Sequence, residues 1–212
     1  AIDNCLYGDY KLLYISPERL DTPVFRSRLP RFNLNMVAVD EAHCISQWGY
    51  DFRPSYLRIA EIREMISPDV PFLALTATAT PNVVKDIVSR LRMKDPAVLQ
   101  TSLRRPNITY VVREVEDKNN YVINTLSRNR GSGIIYVRSR KRSREIAEML
   151  IASGISADFY HAGLPQDMRD RKQKAWTGDD VRIIVATNAF GMGIDKPDVR
   201  YVIHWDSPDS IE

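Results

Sequence analysis

Met36-Val37-Ala38-Val39-Asp40-Glu41-Ala42-His43 is the stretch on which the fold turns. An unbroken apolar run passes directly into two carboxylates and an imidazole. A short, β-branched run without alternation reads as a strand covered on both faces, the kind that fills a parallel sheet. The same pattern recurs at Leu12–Ile15, Phe72–Leu75, Ile134–Val137, Ile183–Ala186 and Tyr201–Ile203. Between these runs lie apolar stripes at helical spacing: Leu57 to Ile66, Val83 to Leu91, and Ile146 to Ile151. Strands alternating with helices predict βαβ units and an open α/β sheet. In such sheets ligands gather at the carboxyl ends of strands. Chemistry is therefore sought in the loops after Val39, Leu75, Val137 and Ala186.

Two α/β lobes are expected, over residues 1–103 and 104–212. Asp95-Pro96 and Arg105-Pro106-Asn107 break helix, and an extended run from Ile108 to Glu116 opens the second lobe. The first lobe carries 12 basic and 12 acidic groups and the second 18 and 15, which gives the net charge of +3. Much of the excess lies in Arg128, Arg130, Arg138, Arg140, Lys141, Arg142 and Arg144. That is too modest for a tight non-specific DNA binder. No apolar stretch is long enough to span a bilayer, and no signal-peptide pattern opens the chain. Cys5 and Cys44 cannot make a disulfide framework, and three His do not make a dense metal site. A reducing, intracellular location is expected, without a membrane partner and as a monomer. The chain starts at Ala1 without Met and reads as a piece of something longer.

Asp40, at the exit of a buried strand, is placed to hold Mg²⁺ through water beside nucleotide phosphates. Glu41 can orient and deprotonate an attacking water. His43 can link this site to a neighbouring lobe by hydrogen bonds. The competing reading is a helix N-terminus whose acids favour the macrodipole.

The string Asp40-Glu41-Ala42-His43 resembles motif II of superfamily-two helicases. The following Cys44-Ile45-Ser46-Gln47-Trp48-Gly49-Tyr50-Asp51-Phe52-Arg53-Pro54 is very similar to the aromatic-rich loop of RecQ-family DNA helicases, although the family usually has His where this chain has Tyr50. Tyr14–Leu20 resembles the segment upstream of motif II, Ala74–Ala79 motif III, and Gly133–Arg140 motif IV. Tyr160–Leu164 resembles the segment between IV and V, and Val185–Arg200 motif V. Together they cover nearly the whole chain in family order. The resemblance implies two RecA-like lobes with parallel sheets, the first truncated at its N-terminus. It implies an ATP- and Mg²⁺-dependent motor that moves 3′ to 5′ along one DNA strand, splits duplex ahead of it and serves repair and recombination. For a bacterial protein, nucleoid association would follow.

The resemblance also assigns roles. Trp48, Phe52 and Arg53 couple DNA to hydrolysis, with Ser46 and Gln47 at the start of the same loop. Aromatic rings stack on unpaired bases, worth about 1–3 kcal/mol each, and Arg adds phosphate contacts. The competing reading has Trp48 and Phe52 filling the core. Thr76 and Thr78 bridge the acid site to DNA, or Thr78 or Thr80 caps a helix before Pro81. Ser139 and Arg140 grip phosphate, or the run Arg138–Arg144 is a solvated helix start. Gly191 and Gly193 let backbone approach a ligand closely. Thr187 touches the DNA backbone, and Gly193 and Asp195 the nucleotide, unless Asp195-Lys196-Pro197 is a plain turn.

No G-x-x-x-x-G-K-[ST] phosphate loop occurs in these residues. In the family that loop precedes the position of Ala1, and the arginine finger follows that of Glu212. These 212 residues alone are therefore expected to hydrolyse little ATP. Two other readings stand beside this one: an RNA helicase of a related box family, and a non-catalytic DNA-binding fragment.

Overall fold

The computed structural model describes residues 2–8, 10–47, 51–102, 104–191 and 193–207. Trp48, Gly49, Tyr50 and Met192 lie outside the described residues. The chain divides into two compact units, Ala1–Arg104 and Arg105–Ile211.

In the first unit β1 (Val37–Val39) pairs in parallel with β2 (Phe72–Ala74), Val37 opposite Phe72 and Val39 opposite Ala74. Three short or medium helices surround them: α1 (Ile2–Tyr7), α2 (Pro23–Arg28) and α3 (Pro81–Arg90). The crossover between the strands is a 3₁₀ helix, Pro54–Glu64. The apolar stripe had predicted a helix here, and its spacing explains the tighter winding. Tyr56, Ile59 and Ile62 are buried at intervals of three, the 3₁₀ repeat. Arg63 clamps this helix to its neighbours: its guanidinium lies 3.7 Å over the Phe72 ring, and Nε donates to the Leu91 carbonyl at the end of α3. Pro81 stands at the first turn of α3, and Thr80 Oγ1 accepts the Val83 N–H, so Thr80 is the cap.

Two expectations for this unit fail. Leu12–Ile15 forms no strand; Leu12 and Tyr14 are exposed, and the segment has no ladder partner among the described residues. β1 and β2 are also only partly buried, because a sheet of two strands leaves much of its surface uncovered.

The second unit holds a four-stranded parallel sheet in the order β4-β5-β3-β6: β3 (Ser132–Tyr136), β4 (Ala157–Tyr160), β5 (Ile183–Ala186) and β6 (Val199–His204). The helices are α4 (Lys118–Arg128), α5 (Arg140–Ala152) and α6 (Gln166–Thr177). The central β5 is buried at every position, as its unbroken apolar run requires, and β6, at an edge, alternates. The extended run from Ile108 to Glu116 joins no ladder among the described residues. Arg182 fastens α4 by donating to the carbonyls of Leu126 and Asn129, two of the groups a helix end leaves unpaired.

Candidate functional site

In the first unit, β1 delivers the acid pair to the carboxyl end of the sheet, where backbone bonds fix it. Leu75 N–H donates to the Val39 carbonyl, and Ala42 N–H to the Leu75 carbonyl, both at 2.9 Å. Asp40 is exposed. One carboxylate oxygen accepts the Glu41 N–H at 2.9 Å, which leaves the other open to solvent. Glu41 adopts a left-handed backbone (φ 48°, ψ 43°) at the start of the 3₁₀ helix Ala42–Ile45. For a residue with a β-carbon this costs about 1–3 kcal/mol and persists only where surroundings impose it. The turn carries the Glu41 side chain, half exposed, back over His43.

His43 is buried, 3% exposed. Its Nδ1 faces Glu41 Oε2 at 3.2 Å and Thr76 Oγ1 at 3.0 Å. A proton on Nδ1 satisfies both acceptors, whereas a bare lone pair there would oppose the carboxylate, so the Nδ1–H tautomer fits. Thr76 passes the network on: its hydroxyl donates to the Thr78 carbonyl at 3.0 Å and accepts the Thr78 N–H at 3.2 Å. His43 was expected to reach a neighbouring lobe. Its bonds to Glu41 and Thr76 tie it to the acid pair and to the segment after β2.

The loop that follows divides into three. Ser46 is fully buried and donates to Asp86 Oδ2 on α3 at 2.8 Å. Ser46 was expected at the start of a DNA-contacting loop; its hydroxyl is here turned to protein. Gln47 and Arg53 are exposed, and Phe52 is half-buried. Arg53 is held back toward the acid site: its N–H donates to the Cys44 carbonyl at 2.9 Å, and Nε and Nη2 converge on Asp51 Oδ2 at 3.0 and 2.6 Å. These bonds hold the Asp51 carboxyl below its usual range. Trp48, the principal ring of the expected stacking surface, lies outside the described residues.

In the second unit, Ser139 caps α5, its Oγ accepting the Arg142 N–H at 3.1 Å. Arg142 and Arg144 pair with Glu145 and Glu148 on the same helix. Arg140 makes no ion pair among the described residues and is exposed. It lies against Gly163, where an added β-carbon would fall 2.6 Å from Nη1. His161 next to it has a depressed pKa, first through burial and then through the positive charge of Arg140 and Lys172. A positive field persists here despite the paired neighbours.

The loop after β5 carries Thr187, half-buried, then the exposed Gly193 and Asp195. Gly191 was expected to admit a ligand. Its close neighbour is instead protein: at φ +125° an added β-carbon would fall 2.6 Å from the Tyr136 hydroxyl, which donates to the Phe190 carbonyl at 2.9 Å. Gly193, at φ +73°, has no atom within 4 Å of such a β-carbon and is the open position. Beyond the loop, the side chain of Lys196 is 4% exposed between Asp179 (2.6 Å) and Asp198 (3.0 Å). Burial works to lower its pKa, but the two hydrogen bonds outweigh it and raise the net value.

The Asp198 carboxyl is held below its ordinary 3.8, chiefly by the bond to Lys196. Its folded value is therefore below the unfolded one. The stability it contributes is complete above 3.8 and is lost as pH falls through the folded value. Thermal unfolding of Asp198→Asn should therefore lose less stability than the wild type as pH drops below that point; equal acid sensitivity would remove Asp198 from the network.

Sequence reasoning missed Asp86, Asp51, Tyr136 and Lys196. Asp86 and Tyr136 act through partners that only folding brings near, Ser46 and Phe190, so the local sequence carried no signal for them. Asp51 and Lys196 each have a partner two residues on, Arg53 and Asp198, so the alternation of charge there was a signal that went unread.

The family described as DEAD/DEAH box helicase matches residues 2–87, and the helicase conserved C-terminal domain matches 117–212. ATP-dependent DNA helicase RecQ of Pasteurella multocida is 44% identical over 206 residues, covering 97% of this chain and 32% of that protein. The Bacillus subtilis protein of the same name is 41% identical, covering 97% of this chain and 35% of that protein. RecQ-like DNA helicase blm-1 of Caenorhabditis elegans is 42% identical, covering 95% of this chain and 21% of that protein. This chain thus spans about a third of the length of the bacterial relatives. Among solved structures, S. cerevisiae Dbp5 bound to RNA and ADP BeF3 superposes with a TM-score of 0.61 at 19% identity, over 86% of this chain and 48% of that one. Mycobacterium smegmatis helicase Lhr bound to ssDNA and AMP-PNP gives 0.62 at 18%, over 95% of this chain and 29% of that one. At such identities these structures share the fold.

Two RecA-like α/β units with an Asp-Glu-Ala-His turn closing the first parallel strand pair define a DEAD/DEAH box helicase core. Within that class, the identity spread along nearly the whole sequence decides the narrower group. Over nearly its whole length the chain is similar to RecQ DNA helicases, as a piece of their helicase core.

Proposed function

We propose that the full-length protein is an ATP-dependent DNA helicase that translocates 3′ to 5′ on a single strand and unwinds duplex ahead of it, in DNA repair and recombination. The observation that carries this reading is the continuous tie from Glu41 through His43 to Thr76, followed within one loop by the exposed Arg53.

Glu41 is the base that takes a proton from the attacking water, and the Nδ1–H of His43 orients its carboxylate. Mg²⁺ would supply charge neutralisation at the nucleotide phosphates. The open carboxylate oxygen of Asp40 fits a cation held through water, and no group of three or more ligating side chains among the described residues offers a direct cage. Gly193 and Asp195 would contact the nucleotide. Arg53, Arg140 and Thr187 would meet the DNA backbone, with Phe52, Trp48 and Gln47 alongside, and Thr76 and Thr78 would join the acid site to that surface. Binding DNA then requires Arg53 to exchange Asp51 for a phosphate. That exchange moves a backbone bonded to Cys44, next to His43.

The reading separates from an RNA helicase by its stimulant. ATP turnover by the full-length protein should rise with single-stranded DNA and hardly respond to RNA of the same sequence. DNA affinity should fall steadily with salt, as phosphate contacts release counterions. Stimulation by RNA alone would favour the box-type RNA helicase.

A further inference from the structure

Among the described residues, two bonds between side chains cross from the segment after β1 to the segment after β2. One is His43 Nδ1 to Thr76 Oγ1, at 3.0 Å. The other lies one 3₁₀ turn further on, where the Ser46 hydroxyl donates to Asp86 Oδ2 at 2.8 Å. Between them the 3₁₀ helix Ala42–Ile45 is buried throughout. Ser46 also closes that helix with its own N–H, which donates to the His43 carbonyl at 3.0 Å. The next residue, Gln47, is exposed. Ser46 is thus a buried point at the start of the loop, and Asp86 holds its hydroxyl.

Asp86 is itself set rigidly. It lies in the second turn of α3, whose start is held by the Thr80 cap and Pro81 and whose end is held by Arg63 at the Leu91 carbonyl. Its side chain is 25% exposed, and Arg90 approaches Oδ2 only to 3.9 Å. Among the described residues the Ser46 hydroxyl is therefore the closest donor on that oxygen. A hydrogen bond to a charged acceptor is among the stronger ones a side chain makes. A buried serine hydroxyl also has strong reason to keep it, since an unmade bond there costs more than a made one yields.

We propose that Asp86 is a positioning residue for DNA-dependent ATP hydrolysis. Through Ser46 it fixes where the surface loop departs from the turn that carries Glu41, so that displacement of Arg53 is transmitted to the acid site and not absorbed by slack at residue 46. The proposal rests on the reading of Glu41 and Arg53 given above. Asp86 touches neither nucleotide nor DNA, so its loss should leave the KM for ATP and the rate without DNA in place and lower the DNA-stimulated increment.

The test is ATP turnover of the full-length protein with and without a single-stranded oligonucleotide. Asp86→Ala should reduce the DNA-stimulated increment by about tenfold, a size typical of losing one hydrogen bond to a charged group. Asp86→Asn keeps an acceptor oxygen for the Ser46 hydroxyl and should restore most of the increment. Ser46→Ala should match Asp86→Ala, and the double variant should be no worse than either single one, because both remove the same bond. Ser46→Ala also serves if Asp86→Ala does not fold. The inference is overturned if the increment survives in Asp86→Ala or Ser46→Ala, if both rates fall together, or if the two losses add. Failure of the underlying reading looks different: Glu41→Gln would then still turn over ATP with DNA, whatever Asp86 does.

Discussion

Trp176→Ala is expected to lower the stability of the second unit by about 3–5 kcal/mol, the usual range for truncating a large buried ring. Trp176 sits at the end of α6 with 1% of its surface exposed. Its ring meets Phe190 edge-on at 5.2 Å, and Phe190 in turn meets Tyr160 at 4.7 Å. The indole N–H donates to the Gly133 carbonyl at 3.2 Å, and Lys196 Nζ lies 5.5 Å from the ring centroid. Truncation would open a cavity under β3 and β5, strip a donor from a buried carbonyl, and free Phe190 at the base of the loop carrying Gly193 and Asp195. Denaturant unfolding followed by circular dichroism should show the transition of residues 105–211 displaced and that of the first unit unchanged. Trp176→Phe should lose less, since it keeps the ring edge and gives up mainly the N–H bond, about 0.5–1.5 kcal/mol. A negligible loss in Trp176→Ala would mean that the ring does not support this core.

Much of this architecture could be read before folding was considered, and the reasons differ by element. Ile183–Ala186 was legible because a central strand, buried on both faces, admits only apolar residues. The strand Ala157–Tyr160 was not, because Asp158 interrupts it and pairs with Lys172 only in three dimensions. Helix α6 was hidden by composition: its residues are mostly charged or polar, and Trp176 alone is buried. Leu12–Ile15 misled in the other direction, since an apolar run records a preference for burial and cannot supply the neighbours that provide it.

The site divides in the same way. Asp40, Glu41 and His43 were legible because they stand together in sequence directly after the apolar run that forms β1. Their supports were not, because Thr76 lies 33 residues from His43, and Asp86 lies 40 from Ser46. Ser46 is instructive: a small polar residue in a surface-loop motif reads as a contact, and its burial against Asp86 shows a support that the sequence does not reveal. Gly191 is a second case, since a positive φ and a close approach mark a glycine position without saying whether the neighbour is ligand or protein.

Glu41→Gln should leave the turn intact. The amide is nearly isosteric with the carboxylate, and its oxygen can still accept the His43 Nδ1–H that Glu41 Oε2 now faces at 3.2 Å. The protonatable group is what disappears. Loss of a general base typically costs about 10²–10⁴ in rate. The nucleotide and DNA contacts proposed for Gly193, Asp195, Arg53 and Arg140 are untouched, so both ligands should still bind. The decisive measurement is steady-state ATP turnover of full-length Glu41→Gln at saturating single-stranded DNA, with nucleotide and DNA binding measured on the same preparation. Turnover reduced to within that range while both ligands bind would uphold Glu41 as the base that the DNA-sensing loop controls. Turnover close to the wild-type rate would contradict it and move the hydrolytic step to another group.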